Sequence, residues 1–191
     1  MEVKVNRLVS WDEALNAARI TVNKDPESIA PSNKFIEKII IAEHSPIRIV
    51  QFSLYWPKIK SWVATHILRH HVGTIPYVGT QRSDRTGVNR SELNQDTEVP
   101  FLLIANVQSL INISRKRLCL LASKETTDAW YYALEELHTI DRLIYNRLAR
   151  ECVYRGFCPE IKCCGFVHSP AYKLLRKRHV ECGILPKEED V

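Results

Sequence analysis

The feature that most constrains the fold is a strongly apolar segment, residues 101–121, which follows Pro100. It is long enough for a central buried helix, and we predict a helix here. Asn106 and Arg117 interrupt the apolar pattern. They are 11 residues apart, or three helical turns, so in a helix they would project in nearly the same direction, about 16 Å apart along the axis.

A second polar pair in this segment consists of Gln108 and Asn112, which have the i, i+4 spacing of neighbours on one helix face. Buried polar side chains need partners, because an unpaired amide in an apolar environment costs about 1–3 kcal/mol. Two interpretations follow from the sequence. Either these side chains satisfy neighbouring backbone groups, or they contact a ligand.

Length and composition indicate a single domain over residues 1–191, because 191 residues with 45% apolar content form one compact core. No stretch approaches the roughly 20 apolar residues that cross a bilayer, and the N-terminus carries acids instead of the apolar run of a signal peptide. We therefore expect a cytoplasmic protein with no membrane contact. The net charge of +5 suits a protein that meets phosphates.

The hydropathy pattern predicts an α+β fold in which helix dominates the second half of the chain. Alternation predicts strands, i, i+4 spacing predicts helices, and glycine with proline predicts loops. The predicted elements are a strand at 2–8, helices at 11–20 and 35–42, a strand at 47–56, a helix from Pro57 to about 71, a loop at 73–95, the helix at 101–121 and an amphipathic helix at about 130–148.

The densest group of chemically active side chains is the run from His66 to His71 at the end of a predicted helix. His66 and His70 share a helix face and Arg69 lies beside them, so these groups are placed to converge on one ligand. A basic helix C-terminus that complements the helix dipole is the alternative interpretation. A zinc site is less favoured, because the glutamate of the H-E-x-x-H motif is missing.

Taken in order along the chain, six short segments resemble those of the flavin-dependent thymidylate synthases. The resemblance covers about residues 3 to 135, and its strength is the order of the segments more than any one of them. The segments are Ala17-Ala18-Arg19-Ile20-Thr21, His44-Ser45-Pro46, Arg69-His70-His71, Gln81-Arg82-Ser83, the run from Asn106 to Asn112 with Arg117, and Ala129-Trp130.

This resemblance implies a fold of the thymidylate synthase-complementing-protein type, with a small antiparallel sheet packed against long helices. It implies a homotetramer with sites shared between subunits. The implied activity is that of a methyltransferase of dTMP biosynthesis, a FAD-dependent transfer of a methyl or hydroxymethyl unit from methylenetetrahydrofolate to C5 of a pyrimidine nucleotide such as dUMP, with NADPH as reductant. The alternative is a catalytically altered relative that binds nucleotides or nucleic acid.

The resemblance also assigns roles to individual residues. Arg117 would hold the pyrimidine and favour ionisation at its N3, which makes C5 nucleophilic, so the protein contributes positioning and electrostatics. The implied cofactor-binding residues are Ser45, Arg69, His70, His71, Asn106, Gln108 and Asn112. The implied substrate-binding residues are His66, Arg69, Tyr77, Arg82 and Arg117.

The departures from the family pattern concentrate on the nucleotide side. His71 replaces the last arginine of the core motif, and residues 74–79 replace a Ser-x-Asn-Glu-x-Ser stretch. His66 stands where the family has glutamine, and Gln108 where it has arginine. The helix that normally precedes the apolar segment, and carries a further nucleotide-binding arginine, is absent. A different base or monophosphate, or a loss of catalysis, would each explain these changes.

The chain ends in a cysteine-rich extension, at about 152–191, which contains five of the six cysteines. Because we expect a cytosolic protein, we expect free thiols here. Weak candidates for metal ligands are Cys158, Cys163, His179 and Cys182. Their spacing matches no standard finger and buried free cysteine is ordinary packing, so zinc is not expected. The basic run 173–179 is either a solvated helix face or a contact with nucleic acid, and the first is favoured.

Overall fold

The protein is described by a computed structural model, which defines residues 1–183 and 185. Within these residues the sheet has four antiparallel strands in the order β1-β2-β4-β3. The strands are β1 (Lys4–Arg7), β2 (Gln51–Lys60), β3 (Thr74–Val78) and β4 (Glu98–Asn106). The structure therefore has the predicted α+β architecture with a small antiparallel sheet.

Helices follow or separate the strands along the whole described chain. They are α1 (Trp11–Ile20), α2 (Asn33–Ile41), α3 (Ser61–Leu68), α4 (Ser83–Thr86), α5 (Val107–Arg117), α6 (Lys124–Ile140), α7 (Arg142–Arg147), α8 (Glu151–Arg155) and α9 (Pro170–Glu181), with 3₁₀ turns at Ser45–Arg48, Arg90–Glu92 and Phe166–His168. No helix among the described residues has the length and apolar content to cross a membrane.

Most of the buried side chains of the sheet belong to its two central strands, β2 and β4. Along β2, side chains alternate between a fully buried face and a more exposed one, as expected of a strand with one face packed. The rings of Trp56 and Phe101 stack across the two strands at 5.3 Å. The buried cross-strand pairs are Phe52–Ala105, Leu54–Leu103 and Trp56–Phe101.

The predicted boundary between strand and helix at Pro57 is wrong. The strand pairing continues to Lys60, and the register shifts between Trp56 and Ile59. Proline is tolerated inside a strand at such an irregularity, where no ladder hydrogen bond is required of its nitrogen. The helix α3 begins only at Ser61.

The predicted helix at 101–121 is wrong in its first half, which is strand β4. Every second residue from Val99 to Ala105 is buried, which is strand periodicity. The sequence hid this period because Leu102 and Ile104, on the other face, are also apolar. Asn106 ends the strand and caps α5, since its Oδ1 accepts a hydrogen bond from the Ser109 amide at 2.9 Å.

Two further elements differ from the prediction. The amphipathic helix at 130–148 is divided at Asp141, whose carboxylate caps α7 through the Ile144 amide and accepts a hydrogen bond from the Trp11 indole at 2.7 Å. The segment at 73–95, predicted as a loop, contains β3 at the sheet edge. The short helix predicted at 35–42 is confirmed as α2.

The described residues form two groups of buried apolar side chains. The main core extends from Val3 to Leu148 and joins the sheet to helices α1, α2, α3, α5, α6 and α7. A second, smaller core lies in the C-terminal segment. It consists of Ala149, Cys152, Val153, Phe166, Tyr172 and Leu185.

Candidate functional site

The N-terminal end of α5 packs against the start of β3. The Ser109 hydroxyl donates a hydrogen bond to the Val72 carbonyl at 2.8 Å, and the backbone N–H of Asn106 donates to the Gly73 carbonyl at 3.2 Å. Gly73 has φ +71°, and a Cβ there would come within 2.4 Å of Ser109 Oγ, so only glycine fits. Because Asn106 is the helix cap, it does not project with Arg117 as predicted.

The middle of α5 carries a carboxylate-centred network. Gln108 Nε2 donates to Glu43 Oε2 at 2.6 Å, and Arg115 forms an ion pair with the same carboxylate. The predicted pair of Gln108 and Asn112 is confirmed as a contact of 3.4 Å. Glu43 has φ +47°, which is uncommon for a residue with a side chain. The network fixes the chain just before Ser45, which is exposed at the start of the 3₁₀ turn.

At the C-terminal end of α5, Arg117 approaches the end of α3. Its Nη2 donates to the His66 carbonyl at 2.5 Å, and the His66 ring contacts Thr126 Oγ1 at 3.1 Å through Nδ1. Burial, with Arg69 nearby, lowers the pKa of Arg117. Burial and the charges of Arg117 and Arg69 lower the pKa of His66. Three predicted site residues, His66, Arg69 and Arg117, thus lie close together.

His70 joins this group from just beyond the end of α3. Burial lowers the pKa of His70 to about 4, and the charges of Arg117, His71 and Lys116 act in the same direction. The imidazole is therefore neutral at pH 7. His70 Nε2 and Arg117 Nε are buried and have no hydrogen-bond partner among residues 1–183 and 185. Buried polar atoms without partners are uncommon in native proteins and mark places where a ligand or water binds.

The basic groups at this end of α5 act on one another. Every charged group that shifts the pKa values of His66, His70 and Arg117 is a cation or a histidine. We call the group formed by His66, Arg69, His70 and Arg117 the cation cluster. The positive charges of Arg69 and Arg117 repel each other, and no carboxylate is among the groups that shift these pKa values, so the cluster favours an anionic ligand.

The remaining predicted residues lie outside this cluster. His71 is exposed, with Nδ1 3.3 Å from the Arg69 carbonyl. Tyr77 is 58% exposed on the edge strand β3. Arg82 is exposed and makes a two-point contact with Asp84, at 3.0 and 2.8 Å. Within the part of the chain that the structure describes, none of these three side chains forms a hydrogen bond or ion pair with Arg117.

The predicted metal candidates separate into two places. Cys158 and Cys163 lie five residues apart in one segment, where Cys158 is partly buried and Cys163 is exposed. His179 instead donates from Nδ1 to the Leu175 carbonyl at 2.8 Å, and Cys182 lines another cavity beside Glu37. Over residues 1–183 and 185, no three His, Cys, Asp or Glu side chains are arranged to hold a metal ion.

Sequence reasoning missed two residues that hold the site. Glu43 anchors the middle of α5, but its role depends on a positive φ and on contacts 65 and 72 residues away. Thr126 contacts His66 from the first turn of α6. Ser123, three residues earlier, was available as a helix-capping signal, since it accepts a hydrogen bond from the Thr126 amide.

The cavities of the fold lie mostly away from the cation cluster. One cavity of about 170 Å³ lies between α6, α7 and α9 and is lined by Leu134, Tyr145 and His179. A second cavity of about 170 Å³ lies between α2 and α7. Neither is lined by any residue of the cation cluster, which is therefore better described as a surface site at the junction of α3 and α5.

Comparison with known proteins identifies the fold. No family model and no curated protein matches the sequence. Solved structures do match: the flavin-dependent thymidylate synthase ThyX from Helicobacter pylori, complexed with FAD and dUMP, has a TM-score of 0.62 at 12% identity, covering 78% of this chain and 100% of that chain. A second structure of the same enzyme with FAD and dUMP has a TM-score of 0.62, covering 76% and 97%.

A third match is a UMP/dUMP methylase, PolB from Streptomyces cacaoi, bound with 5-Br dUMP. It has a TM-score of 0.59 at 10% identity and covers 75% of this chain and 93% of that chain. At such low identity the likeness concerns the fold alone. The chain therefore has the fold of the flavin-dependent thymidylate synthases.

Proposed function

We propose that the protein is a FAD-dependent enzyme that transfers a one-carbon unit, methyl or hydroxymethyl, from a folate to C5 of a pyrimidine deoxynucleotide such as dUMP. The observation that carries this proposal is the cation cluster, in which Arg117 and His70 keep buried atoms without partners. The fold supports it, since two similar structures hold FAD and dUMP and a third holds 5-Br dUMP.

The cation cluster has the chemistry of a nucleotide site. Arg69 and Arg117 supply guanidinium groups, which bind phosphate or a pyrimidine carbonyl through two parallel hydrogen bonds. His70, neutral at pH 7 because burial lowers its pKa to about 4, keeps a lone pair or an N–H for a polar ligand atom. An anion bound here would remove the mutual repulsion of these groups.

The same residues and the Glu43 network fit FAD. Its pyrophosphate needs a cation, which Arg69 would provide, and its ring needs hydrogen-bonding groups. Ser45 and Asn112 are exposed, and Gln108 donates hydrogen bonds to Asn112 and to the carboxylate of Glu43, two residues before Ser45. We propose that Ser45, Asn106, Gln108 and Asn112 form the flavin side of the site. When bound and reduced, FAD supplies hydride, while methylenetetrahydrofolate supplies the carbon and NADPH the reducing equivalents.

Arg117 is the residue that we assign to catalysis. The side chain is oriented by its hydrogen bond to the His66 carbonyl, and its backbone carbonyl accepts a hydrogen bond from Thr127 at 3.0 Å. A guanidinium fixed in this way stabilises negative charge at N3 of a pyrimidine, which increases electron density at C5. His66 would contact the nucleotide from the adjacent turn of α3.

We further propose that a second subunit completes the site, as in a homotetramer. His71, Tyr77 and Arg82 are exposed and distributed over the surface of one chain. Exposed apolar side chains on the edge strand, Ile75 and Tyr77, give that surface the character of a protein interface. In such an assembly, residues that lie far apart in one subunit would contact one ligand from two different subunits.

The experiment is a binding test on the purified full-length protein. FAD is added and removed by gel filtration, and bound flavin is read from visible absorbance; dUMP is then titrated by calorimetry. We expect a yellow protein that binds dUMP. The matched variants are Arg117→Gln and Arg142→Gln, which remove the same charge, and Arg142 is exposed at the start of α7.

The expected result is that Arg117→Gln weakens dUMP binding roughly tenfold or more, while Arg142→Gln does not change it. A colourless protein that cannot take up FAD would contradict the proposed reaction. If such a protein still bound dUMP through Arg117, it would be a nucleotide-binding relative without flavin chemistry.

A further inference from the structure

The cavity between α6, α7 and α9 lies where the two buried cores meet. Its wall includes Leu134 and Leu148 of the main core and Ala149 of the second core. Leu175 of α9, which packs against the second core, and Tyr145 of α7 also line it. Its volume is about 170 Å³. An apolar cavity of about 150 Å³ holds a benzene molecule, so this cavity has the size for one aromatic ring.

One polar side chain of the wall, His179, keeps a ring nitrogen without a partner. His179 is only 4% exposed, and its Nδ1 lies 2.8 Å from the Leu175 carbonyl. Because a carbonyl oxygen only accepts hydrogen bonds, Nδ1 must carry a proton. Nε2 is buried and has no hydrogen-bond partner among residues 1–183 and 185. Burial lowers the pKa of His179 below 6.5, so the ring is neutral at pH 7 and Nε2 holds a lone pair.

The charged groups of the wall are cations. They are Arg150, which is partly buried, and Arg178, which is exposed, and no Asp or Glu of the described residues lines the cavity. Arg150 donates to the Leu118 carbonyl and lies 4.1 Å from the centre of the Phe166 ring. Arg178 makes a longer contact of 3.3 Å with Asn146. Arg178 is therefore the cation better placed to pair with an anionic group of a ligand.

We propose that this cavity binds a single-ring aromatic carboxylate that carries a hydroxyl group. The ring fills the apolar space between the two cores, the hydroxyl donates a hydrogen bond to His179 Nε2, and the carboxylate pairs with Arg178. The two polar groups of the ligand are not interchangeable. A carboxylate oxygen only accepts hydrogen bonds, so it finds no donor at the Nε2 lone pair.

The proposal does not rest on the proposed enzyme activity. His179 and Arg178 both lie on α9, and neither belongs to the cation cluster at the junction of α3 and α5. Failure of the protein to bind FAD or dUMP would leave the cavity and its wall unchanged. The two sites are tested separately, with different ligands and different variants.

The experiment is a calorimetric titration of the full-length protein at pH 7 with three probes. The first is 4-hydroxybenzoate, the second is benzoate, which lacks the hydroxyl, and the third is phenol, which lacks the carboxylate. We expect 4-hydroxybenzoate to bind, and each of the other two to bind roughly fivefold more weakly or less tightly still, as for one lost hydrogen bond or ion pair.

A variant of His179 tests the hydroxyl contact. His179→Asn keeps an N–H close to the position of Nδ1 but has no atom at Nε2. It should weaken 4-hydroxybenzoate binding roughly fivefold and leave benzoate binding unchanged, because benzoate makes no hydrogen bond there. Circular dichroism checks that the variant folds.

The carboxylate contact is tested at the surface, where folding is not at risk. Arg178→Gln should weaken 4-hydroxybenzoate binding roughly fivefold, and Arg142→Gln, an exposed residue outside the cavity wall, should not change it. The proposal is overturned if 4-hydroxybenzoate does not bind at millimolar concentration, if benzoate or phenol binds equally well, or if Arg178→Gln binds like wild type. Loss of binding in Arg117→Gln would place the probe in the cation cluster and would also overturn it.

Discussion

The middle and the C-terminal end of α5 both hold arginine, but in opposite electrostatic settings. In the middle, Arg115 meets the carboxylate of Glu43, which also accepts a hydrogen bond from Gln108. At the end, Arg117 meets a backbone carbonyl and other basic side chains. The first arrangement compensates the charge of Arg115 with the carboxylates of Glu43 and Glu151, and it holds the fold together. Arg115 Nε and Arg117 Nε both lack a hydrogen-bond partner among the described residues, so the difference lies in the charges. No carboxylate is among the groups that shift the pKa of Arg117, which is why we place ligand binding there.

Replacing Arg117 by alanine should have the largest effect. We expect a loss of turnover of about 10² to 10³-fold, because one fixed donor to developing negative charge contributes that much. FAD should remain bound, because we propose that Ser45 and the amide side chains of α5 form the flavin side. Steady-state kinetics and flavin absorbance measure the two effects. Loss of FAD in this variant would contradict the assignment of Arg117 to the pyrimidine.

Glu43→Gln tests the opposite side of the comparison. The variant keeps the shape of the side chain but removes the nearer carboxylate of Arg115, which retains a 3.8 Å ion pair with Glu151, so the free energy of unfolding should fall by about 1–2 kcal/mol. Urea denaturation should show a lower midpoint with an unchanged m-value. The control is Glu136→Gln on the exposed face of α6, which should change stability by less than about 0.5 kcal/mol. Equal effects would show that the Glu43 network has no special structural role.

Asn112→Ala separates folding from cofactor binding. Asn112 is exposed and its hydrogen bond with Gln108 is long, at 3.4 Å, so stability should change by less than about 0.5 kcal/mol. If Asn112 contacts the flavin, FAD affinity should fall by roughly tenfold, as for one lost hydrogen bond. Flavin fluorescence titration measures this change. An unchanged affinity would remove Asn112 from the proposed flavin side.

His70 should give the smallest effect, seen as a pH dependence of stability. Burial, with Arg117 and Lys116 nearby, lowers the pKa of His70 to about 4, below the ordinary value of 6.5. The unfolded chain therefore binds a proton that the folded chain does not, and stability falls as the pH drops from about 6.5 towards 4.

After allowance for solvent screening, we expect His70 to account for a loss of about 1 kcal/mol between pH 7 and pH 5. Urea midpoints at both pH values measure it, and His70→Gln should lose this part of the difference. A bound anion should oppose the fall, because it favours the protonated imidazole. An equal pH dependence in wild type and variant would place His70 in a more solvated setting.

Local patterns predicted α1 and α2 and the overall α+β class, because their periods and end signals lie within a few residues of sequence. β4 could not be recognised, because Leu102 and Ile104 are apolar on the face that a strand normally exposes. The break at Asp141 was visible only as a polar interruption, since its role depends on Trp11, 130 residues away.

The candidate site divides in the same way. The spacing of Gln108 and Asn112 predicted their contact correctly. His66 and His70 are four residues apart in sequence, so both lie near the C-terminal end of α3. The contribution of Glu43 could not be predicted, because it depends on a positive φ and on helix α5 far along the chain. The position of Cys119 could not be predicted either. It lines one cavity with Cys158 and Cys164, about 40 residues later, only because the tertiary fold brings them together.

The continuity of α5 has a consequence for how the site tolerates insertions. Gln108 and Arg117 lie on one unbroken helix, so their separation is about 13 to 14 Å at 1.5 Å per residue. One inserted residue between them would lengthen this spacing by about 1.5 Å and rotate Arg117 by about 100° relative to Gln108. Arg117 would then leave the His66 carbonyl while Gln108 stayed on Glu43. The length of this helix therefore sets the register between the two proposed binding regions.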